Sequence, residues 1–221
     1  EPIPDFLAAD SPYAYYFPPA PDGSRPGTYF INTADPQTSS RTEAESIAFH
    51  EAIPGHHLQI AISQELEGIP EFQRHEGSTA YVEGWGLYAE RLADEMGLYS
   101  TRLDRLGMLT ADAWRSARLV VDTGLHARGW SRQQAIDYFV DHTPVPVDQI
   151  APEVDRYLAM PGQALAYKVG QLEIERLRAS AGSQLGAEFD LAAFHDVILG
   201  SGAVTLPVLT HMVDRWVDSF S

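Results

Sequence analysis

Apolar side chains recur at intervals of three and four residues in much of the chain after residue 40, and this spacing is typical of amphipathic helices. The clearest segment opens at Ser78 and carries Tyr81, Trp85, Tyr88 and Leu92. The expected helices lie at roughly 43–49, 56–67, 78–97, 101–127, 131–140, 151–159, 161–181, 190–199 and 205–219. Ser131 and Asp190 stand where N-caps belong, and Gly129 and Gly200 where helices stop.

The first forty residues follow a different pattern. They are rich in Pro, Gly, Ser and Tyr and contain two β-favouring runs, 13–17 and 27–32, separated by a Pro-Asp-Gly turn signal. We expect a small hairpin or a pair of edge strands over 1–40, and a helical domain over 41–221. Such a strand near a cleft can pair with a peptide backbone, although the tyrosines serve equally well as a cover for the core. The predicted class is mainly α.

Composition narrows the function. The formal charge is −16, so no basic stripe is available for a nucleic acid backbone. No apolar run approaches the ~18 residues of a membrane span, and the first residues do not resemble a signal peptide, although upstream processing would leave no trace. We expect no nucleic acid or membrane partner and assign no compartment. Because cysteine is absent, histidine and carboxylate are the strong metal ligands that remain.

The strongest chemical signal is the run His50-Glu51-Ala52-Ile53-Pro54-Gly55-His56-His57. A zinc peptidase often carries H-E-x-x-H on one helix, with two histidine ligands and a glutamate base. Here Pro54 stands at the second ligand position. At about 100° per residue, an ideal helix places His57 roughly 20° from His50 and His56 roughly 120° away. Pro54 breaks that helix, however, and a Pro-Gly bulge would bring His56 into position. We favour His56 over His57 as a zinc ligand, and the remaining histidine as a substrate contact.

A catalytic zinc needs a third protein ligand. Glu83 is the first candidate, because it lies among apolar and glycine neighbours where an unpaired carboxylate is costly to bury. Gly84 and Gly86 would let another helix come close. Glu90 lies on the same face, seven residues later, and is a candidate for supporting the ligands or for a surface charge.

Four blocks of this chain, in this order, resemble a bacterial family long labelled as a domain of unknown function and grouped with the gluzincin zinc metallopeptidases. The blocks are 50–57, 81–90, 121–126 and 161–168. The resemblance implies a helical gluzincin-like catalytic domain in which His50, His56 and Glu83 bind zinc and Glu51 is the general base. Gly55-His56-His57-Leu58 looks like the Gly-His-x-Leu sequence of related oligopeptidases, which supports His56.

The same resemblance implies a longer protein. Family members are about twice this length, so the chain resembles their C-terminal half, and an N-terminal half from the full-length protein or another chain would complete the cleft. Tyr167 resembles the downstream tyrosines that stabilise an oxyanion in oligopeptidases. A packing role for Tyr167 is the alternative.

Other polar residues are weaker candidates. Asp122 and His126 are four residues apart on one predicted helix, so their side chains can meet. They could face the cleft, support the zinc ligands, or form a buried structural pair. Arg118 shares their face and is a candidate receptor for a substrate carboxylate. The other histidines lack a motif and are expected to lie outside the site: His75, His142, His195 and His211.

These residues predict a zinc metallopeptidase acting on peptides. Two alternatives remain open. The first is a zinc hydrolase of a small substrate with another acyl bond, since the same water and base serve both reactions. The second is a helical metal-binding module without turnover.

Overall fold

The computed structural model describes residues 1–8, 11–34, 40–75 and 77–220. These residues form a mainly helical structure with one small sheet, which confirms the predicted class. The helices are α1 Asp5–Ala8, α2 Ala44–Glu51, α3 His56–Glu65, α4 Glu71–His75, α5 Thr79–Glu95, α6 Arg102–Ala127, α7 Arg132–His142, α8 Val147–Ala159, α9 Gln163–Leu185, α10 Leu191–Leu199 and α11 Leu206–Asp218. Short 3-10 turns precede α2 and follow α9.

The sheet is the hairpin that the first forty residues predict. Strands β1 Ala14–Phe17 and β2 Thr28–Ile31 pair antiparallel, with Tyr16 opposite Tyr29. The amino-terminal residues run along the other edge of β2, where the Ile3 N–H donates to the Ile31 carbonyl. The backbone N–H of Tyr16 points away from β2 and donates to the side chain of Glu51 at the end of α2. The hairpin is therefore attached directly to the histidine-containing segment.

Helices α5 and α9 form the centre of the domain and cross at a pair of glycines. A Cβ on Gly84 would lie 2.5 Å from the Cα of Gly170, and a Cβ on Gly170 would lie 1.8 Å from the carbonyl oxygen of Ala80. Only glycine at both positions permits this approach. One apolar core joins α5 and α9 to α10 and α11, and a second lies among α6, α7 and α8.

The predicted helix ends are largely confirmed. Ser131 and Gln134 form a reciprocal capping box at the start of α7, and the Asp190 side chain accepts a hydrogen bond from the Ala192 N–H. Gly129 follows α6 with a φ of 68°, a conformation that costs glycine little. Gly200 caps α10.

Two features differ from the prediction. Helix α8 begins at Val147, four residues earlier than expected, and so contains Pro152 in its interior. A proline there costs about 3 kcal/mol, but the additional turn buries Ile150 completely, on the same face as Val154 and Tyr157. Burial thus offsets the lost backbone hydrogen bond. The short helices α1 and α4 lack enough periodicity to be recognised in the sequence.

No helix within the described residues has both the length and the hydropathy that crossing a membrane requires.

Candidate metal centre

The eight-residue histidine run forms two separate helices and the turn between them. Helix α2 ends at Glu51 and α3 begins at His56, so Pro54 interrupts the helix as its chemistry requires. The turn is tight at Gly55, where a Cβ would lie only 1.8 Å from the carbonyl oxygen of His50. The predicted Pro-Gly bulge within one helix is therefore a complete break between two helices.

His50, His56 and Glu83 form what we call the histidine–glutamate cluster. One potential ligand atom from each lies within 4.8 Å of the other two. The Nε2 atoms of His50 and His56 are 3.7 and 3.4 Å from Oε2 of Glu83. Ligands about 2.1 Å from a tetrahedral zinc ion are about 3.4 Å apart. These donors thus fit the size and the chemistry of a zinc site.

Glu90 fixes the ring of His50. Its Oε1 lies 2.8 Å from Nδ1 of His50, and Ser46 donates its hydroxyl to the other oxygen. Glu90 is only 1% exposed, so the prediction of a surface charge, one of its two predicted roles, is wrong. Because an ionised carboxylate only accepts, Nδ1 carries a proton. In a neutral His50 the Nε2 lone pair then faces Glu83.

This arrangement attracts a cation. The lone pairs of Nε2 in a neutral His50 and of Oε2 in Glu83 repel each other unless a proton or a metal ion lies between them. Burial by itself lowers the pKa of His50, but hydrogen bonds to Glu83 and Glu90 outweigh burial and raise that pKa to about 9. Burial likewise raises the pKa of Glu83, yet both histidines hold it well below its usual range. The cluster is therefore electrostatically suited to a bound positive charge.

Glu51 lies at the end of α2, next to His50, and is partly exposed. Its Oε2 accepts the Tyr16 backbone N–H at 2.9 Å. His57 is not in the histidine–glutamate cluster, since its Nδ1 lies 2.8 Å from the Tyr16 hydroxyl. Tyr16 thus contacts both Glu51 and His57, and no pattern in the sequence predicts this role.

Tyr167 lies beside the cluster, with its ring stacked on that of His50 at a centroid distance of 6.1 Å. Gln163 donates through Nε2 to the Tyr167 hydroxyl at 3.0 Å, and Arg156 donates to Oε1 of the same amide. Arg156 therefore fixes which end of the amide faces Tyr167. Burial and the charge of Glu83 raise the pKa of Tyr167 to about 12, so its hydroxyl keeps its proton at neutral pH. None of its described hydrogen bonds uses that proton.

The two glycines near Glu83 have different functions. Gly84 provides space for α9, as expected, whereas Gly86 provides space for the histidines. A Cβ on Gly86 would lie 2.7 Å from Cε1 of His50 and 2.9 Å from Cε1 of His56. Gln59 supports the second ring, with Oε1 3.4 Å from Nδ1 of His56. A glutamine three residues after a histidine on a helix is a detectable signal in retrospect.

Arg118, the candidate receptor for a substrate carboxylate, is already paired with protein groups, and its role in binding substrate stays a prediction. Its guanidinium donates to the Tyr157 hydroxyl and to Oε2 of Glu153, each at 2.8 Å. It also lies over the Tyr167 ring, 5.1 Å from the centroid. A substrate carboxylate would have to displace Glu153.

Asp122 and His126 lie at the junction of α6, α8 and α9. Asp122 accepts the backbone N–H groups of Gly162 and Leu165 and so caps the start of α9. His126 lies 3.0 Å from the Tyr157 carbonyl oxygen and 3.6 Å from Asp122. Their described contacts match the structural pair rather than a role at the ligands or in the cleft.

Two of the remaining histidines make contacts outside the histidine–glutamate cluster. His195 lies 2.8 Å from the Tyr88 hydroxyl, and burial lowers its pKa to about 4. His142 contacts the carbonyl oxygen of Tyr138. The side chain of His75 is outside the described part of the chain.

The fold and site define a class: a helical protein with a largely buried cluster of two histidines and one glutamate. The chain belongs to the family described as "Bacterial protein of unknown function (DUF885)", whose profile matches residues 1–213. This confirms the bacterial family of unknown function to which the sequence blocks pointed. A search of curated proteins gave no match.

Two solved structures are similar. The first is described as "the putative lipoprotein from Colwellia psychrerythraea"; it is 43% identical, covers 99% of this chain and has a TM-score of 0.95. The second, "a putative lipoprotein of unknown function from Shewanella oneidensis", is 25% identical over 91% of this chain, with a TM-score of 0.74. This chain spans only 38% and 39% of their respective lengths.

Proposed function

We propose that this chain carries the catalytic centre of a zinc-dependent hydrolase that cleaves peptide bonds. The observation that carries the proposal is the convergence of His50, His56 and Glu83, whose potential ligand atoms lie within 4.8 Å of one another. Two imidazoles and one carboxylate are a ligand set that catalytic zinc sites use, with a further position left for water. The fixed tautomer of His50 and the adjacent Glu51 add to this support.

Zinc held by these three residues would supply Lewis acidity and lower the pKa of a bound water to about 7. Glu51 would accept a proton from the attacking water and return it to the departing amine. Its Oε2 is held by the Tyr16 N–H, so Oε1 is available for that transfer. Tyr167 would donate its unused hydroxyl proton to the carbonyl oxygen as negative charge develops there.

Peptide cleavage tests the role of Glu51. Wild type and Glu51→Gln are each loaded with zinc and incubated with a mixed peptide library, and the products are identified by mass spectrometry. Glutamine keeps the size of the side chain but cannot accept a proton, so the rate should fall about 10²–10⁴-fold while bound zinc is unchanged. Equal cleavage by both proteins would remove Glu51 from the mechanism.

The control is Glu188→Gln, which removes one carboxylate from an exposed residue in the turn after α9. Its rate should equal that of wild type. If zinc binds but no peptide is cleaved by wild type, a library of small esters and non-peptide amides tests the other acyl-bond reaction.

A further inference from the structure

A cavity of about 560 Å³ lies between the hairpin loop and helix α3. Its walls include Phe17, Pro19, Arg25, Ile60, Gln64 and Arg74. We call it the hairpin cavity. Its volume is within the ~300–1,000 Å³ range of small-molecule sites, and such sites combine apolar walls with a few polar groups as this one does.

The hairpin cavity adjoins the candidate metal centre. Gln59 lines the cavity and also contacts His56, and Val82, another wall residue, directly precedes Glu83. Along β1, the Tyr16 N–H binds Glu51 and the next residue, Phe17, lines the cavity. An extended chain starting at Glu51 and running beside β1 therefore reaches the cavity within a few residues.

The wall of the cavity is held in place without a ligand. Gln64 on α3 donates to the Pro19 carbonyl oxygen at 3.2 Å, and Arg25 donates to the Pro18 carbonyl oxygen at 2.6 Å. These bonds attach the hairpin loop to α3 and to itself. A site formed in advance loses less conformational entropy when a ligand binds.

The two arginines make the cavity cationic in a chain of net charge −16. Arg25 lies 4.0 Å over the Phe17 ring and bonds only to backbone carbonyls, so no carboxylate within the described residues neutralises it. Arg74 pairs with Glu71, whose side chain is 75% exposed. The Nε atom of Arg74 is buried and has no hydrogen-bond partner among the described residues. The positive charge of the two guanidinium groups would attract an anionic group that enters the cavity.

We propose that the hairpin cavity binds the carboxy-terminal residue of a peptide, with its apolar side chain against Phe17 and Ile60 and its free carboxylate at Arg25 and Arg74. The assignment as a substrate subsite rests on the proposed peptidase function. Binding of an apolar carboxylate does not depend on zinc or on turnover. The two ideas can therefore fail separately.

Calorimetry on metal-free protein tests the cavity with two matched probes, 4-phenylbutyrate and its neutral analogue 4-phenylbutanamide. The carboxylate should bind about tenfold or more tightly than the amide. Arg25→Gln and Arg74→Gln should each remove most of that preference. Arg132→Gln is the control, since it removes one positive charge from an exposed pair with Asp155 outside the cavity, and it should leave the preference unchanged.

Equal affinity for both probes, no binding of either, or a preference that survives both arginine changes would overturn the proposal. Because Arg74 also holds the Leu66 carbonyl, thermal unfolding of each variant is measured first. Arg25 lies on an exposed loop, so its variant keeps the test decisive if Arg74→Gln does not fold.

The substrate arm compares peptides with free and amidated carboxy termini on zinc-loaded wild type. The free acid should be cleaved with a lower KM, by about tenfold, and Arg25→Gln should abolish the difference. If no peptide is cleaved while 4-phenylbutyrate still binds through the arginines, the peptidase function fails and the carboxylate site stands. If both peptides are cleaved equally and the probes do not bind, the carboxylate site fails and the peptidase function stands.

Discussion

Two buried polar clusters lie near each other in this protein and differ in how their hydrogen-bonding capacity is used. In the arginine cluster, Arg118 and Tyr157 both donate to Oε2 of Glu153, and Arg156 donates to both oxygens of that carboxylate. Donors and acceptors match. In the histidine–glutamate cluster, acceptor atoms converge on one point instead. The arginine cluster satisfies its own hydrogen bonds, whereas the histidine–glutamate cluster needs a cation between its acceptor atoms.

The difference shows which observation distinguishes a site from a structural ion pair. Burial does not, because both clusters are largely buried. Perturbed pKa values do not either, because Glu153 and Glu83 are both shifted downward. Of the two clusters, only the histidine–glutamate cluster has several acceptor atoms that face one point without a donor between them.

The largest expected effect is on metal binding. Glu83→Ala removes one of three ligands, so zinc affinity should fall by more than about 100-fold, beyond what changes outside the ligands produce. Zinc content after dialysis against a graded chelator measures it. Glu153→Ala is the matched control from the arginine cluster and should keep zinc, although it loses stability. If both variants retain zinc equally, the distinction between the clusters is wrong.

The second largest expected effect is on the rate of peptide cleavage, and it distinguishes two tyrosines. Tyr167→Phe removes the hydroxyl beside His50, and kcat for peptide cleavage should fall about 10²–10³-fold, the size of losing one oxyanion donor. Tyr157→Phe removes a hydroxyl from the arginine cluster and should lower thermal stability with little change in kcat. Equal kcat values for wild type and Tyr167→Phe would leave Tyr167 as a packing residue.

Glu90→Gln should have a smaller effect on the metal. Glutamine can still accept the Nδ1 proton of His50, but without the negative charge that raises the basicity of the ring. Zinc affinity should fall about 10–100-fold. Competition with a chromogenic chelator measures the change, and Glu90→Asp helps to separate charge from geometry. Unchanged affinity in Glu90→Gln would show that the carboxylate only fills space.

The smallest effect concerns acid stability. Burial raises the pKa of Glu153, but Arg156 and Arg118 outweigh it and lower that pKa to about 2. Since the folded pKa lies below the unfolded value of about 4.3, this carboxylate stabilises the fold above pH ~4.3 and loses that effect as pH falls towards 2. Allowing for partial exposure, we expect about 1–2 kcal/mol.

Urea unfolding of wild type and Glu153→Gln between pH 6 and 3 measures this effect. The gap in unfolding free energy should narrow as pH falls. A constant gap would show that the pairing with arginine is no stronger in the folded state than in the unfolded chain.

Long periodic segments could be predicted from sequence, and so could chemistry that depends on neighbours along the chain. The capping residues Ser131 and Asp190 could be predicted because each caps its helix by a hydrogen bond to nearby backbone. The start of α8 was predicted four residues too late, because the burial of Ile150 that offsets Pro152 depends on residues far away in sequence. Gln59 and Ser46 were overlooked although each lies three or four residues from a histidine of the histidine–glutamate cluster on its own helix.

By itself, the sequence determined the residue types of the site, the break at Pro54 and the mainly helical class, because these follow from side-chain chemistry and local backbone preferences. The tertiary structure decided which atoms meet. It placed His56 rather than His57 against Glu83, put Glu90 on the opposite nitrogen of His50, and attached Tyr16 to Glu51. These contacts join residues 27 to 40 positions apart. Their geometry is set by how the helices pack, and Gly84, Gly86 and Gly170 provide the space for that packing.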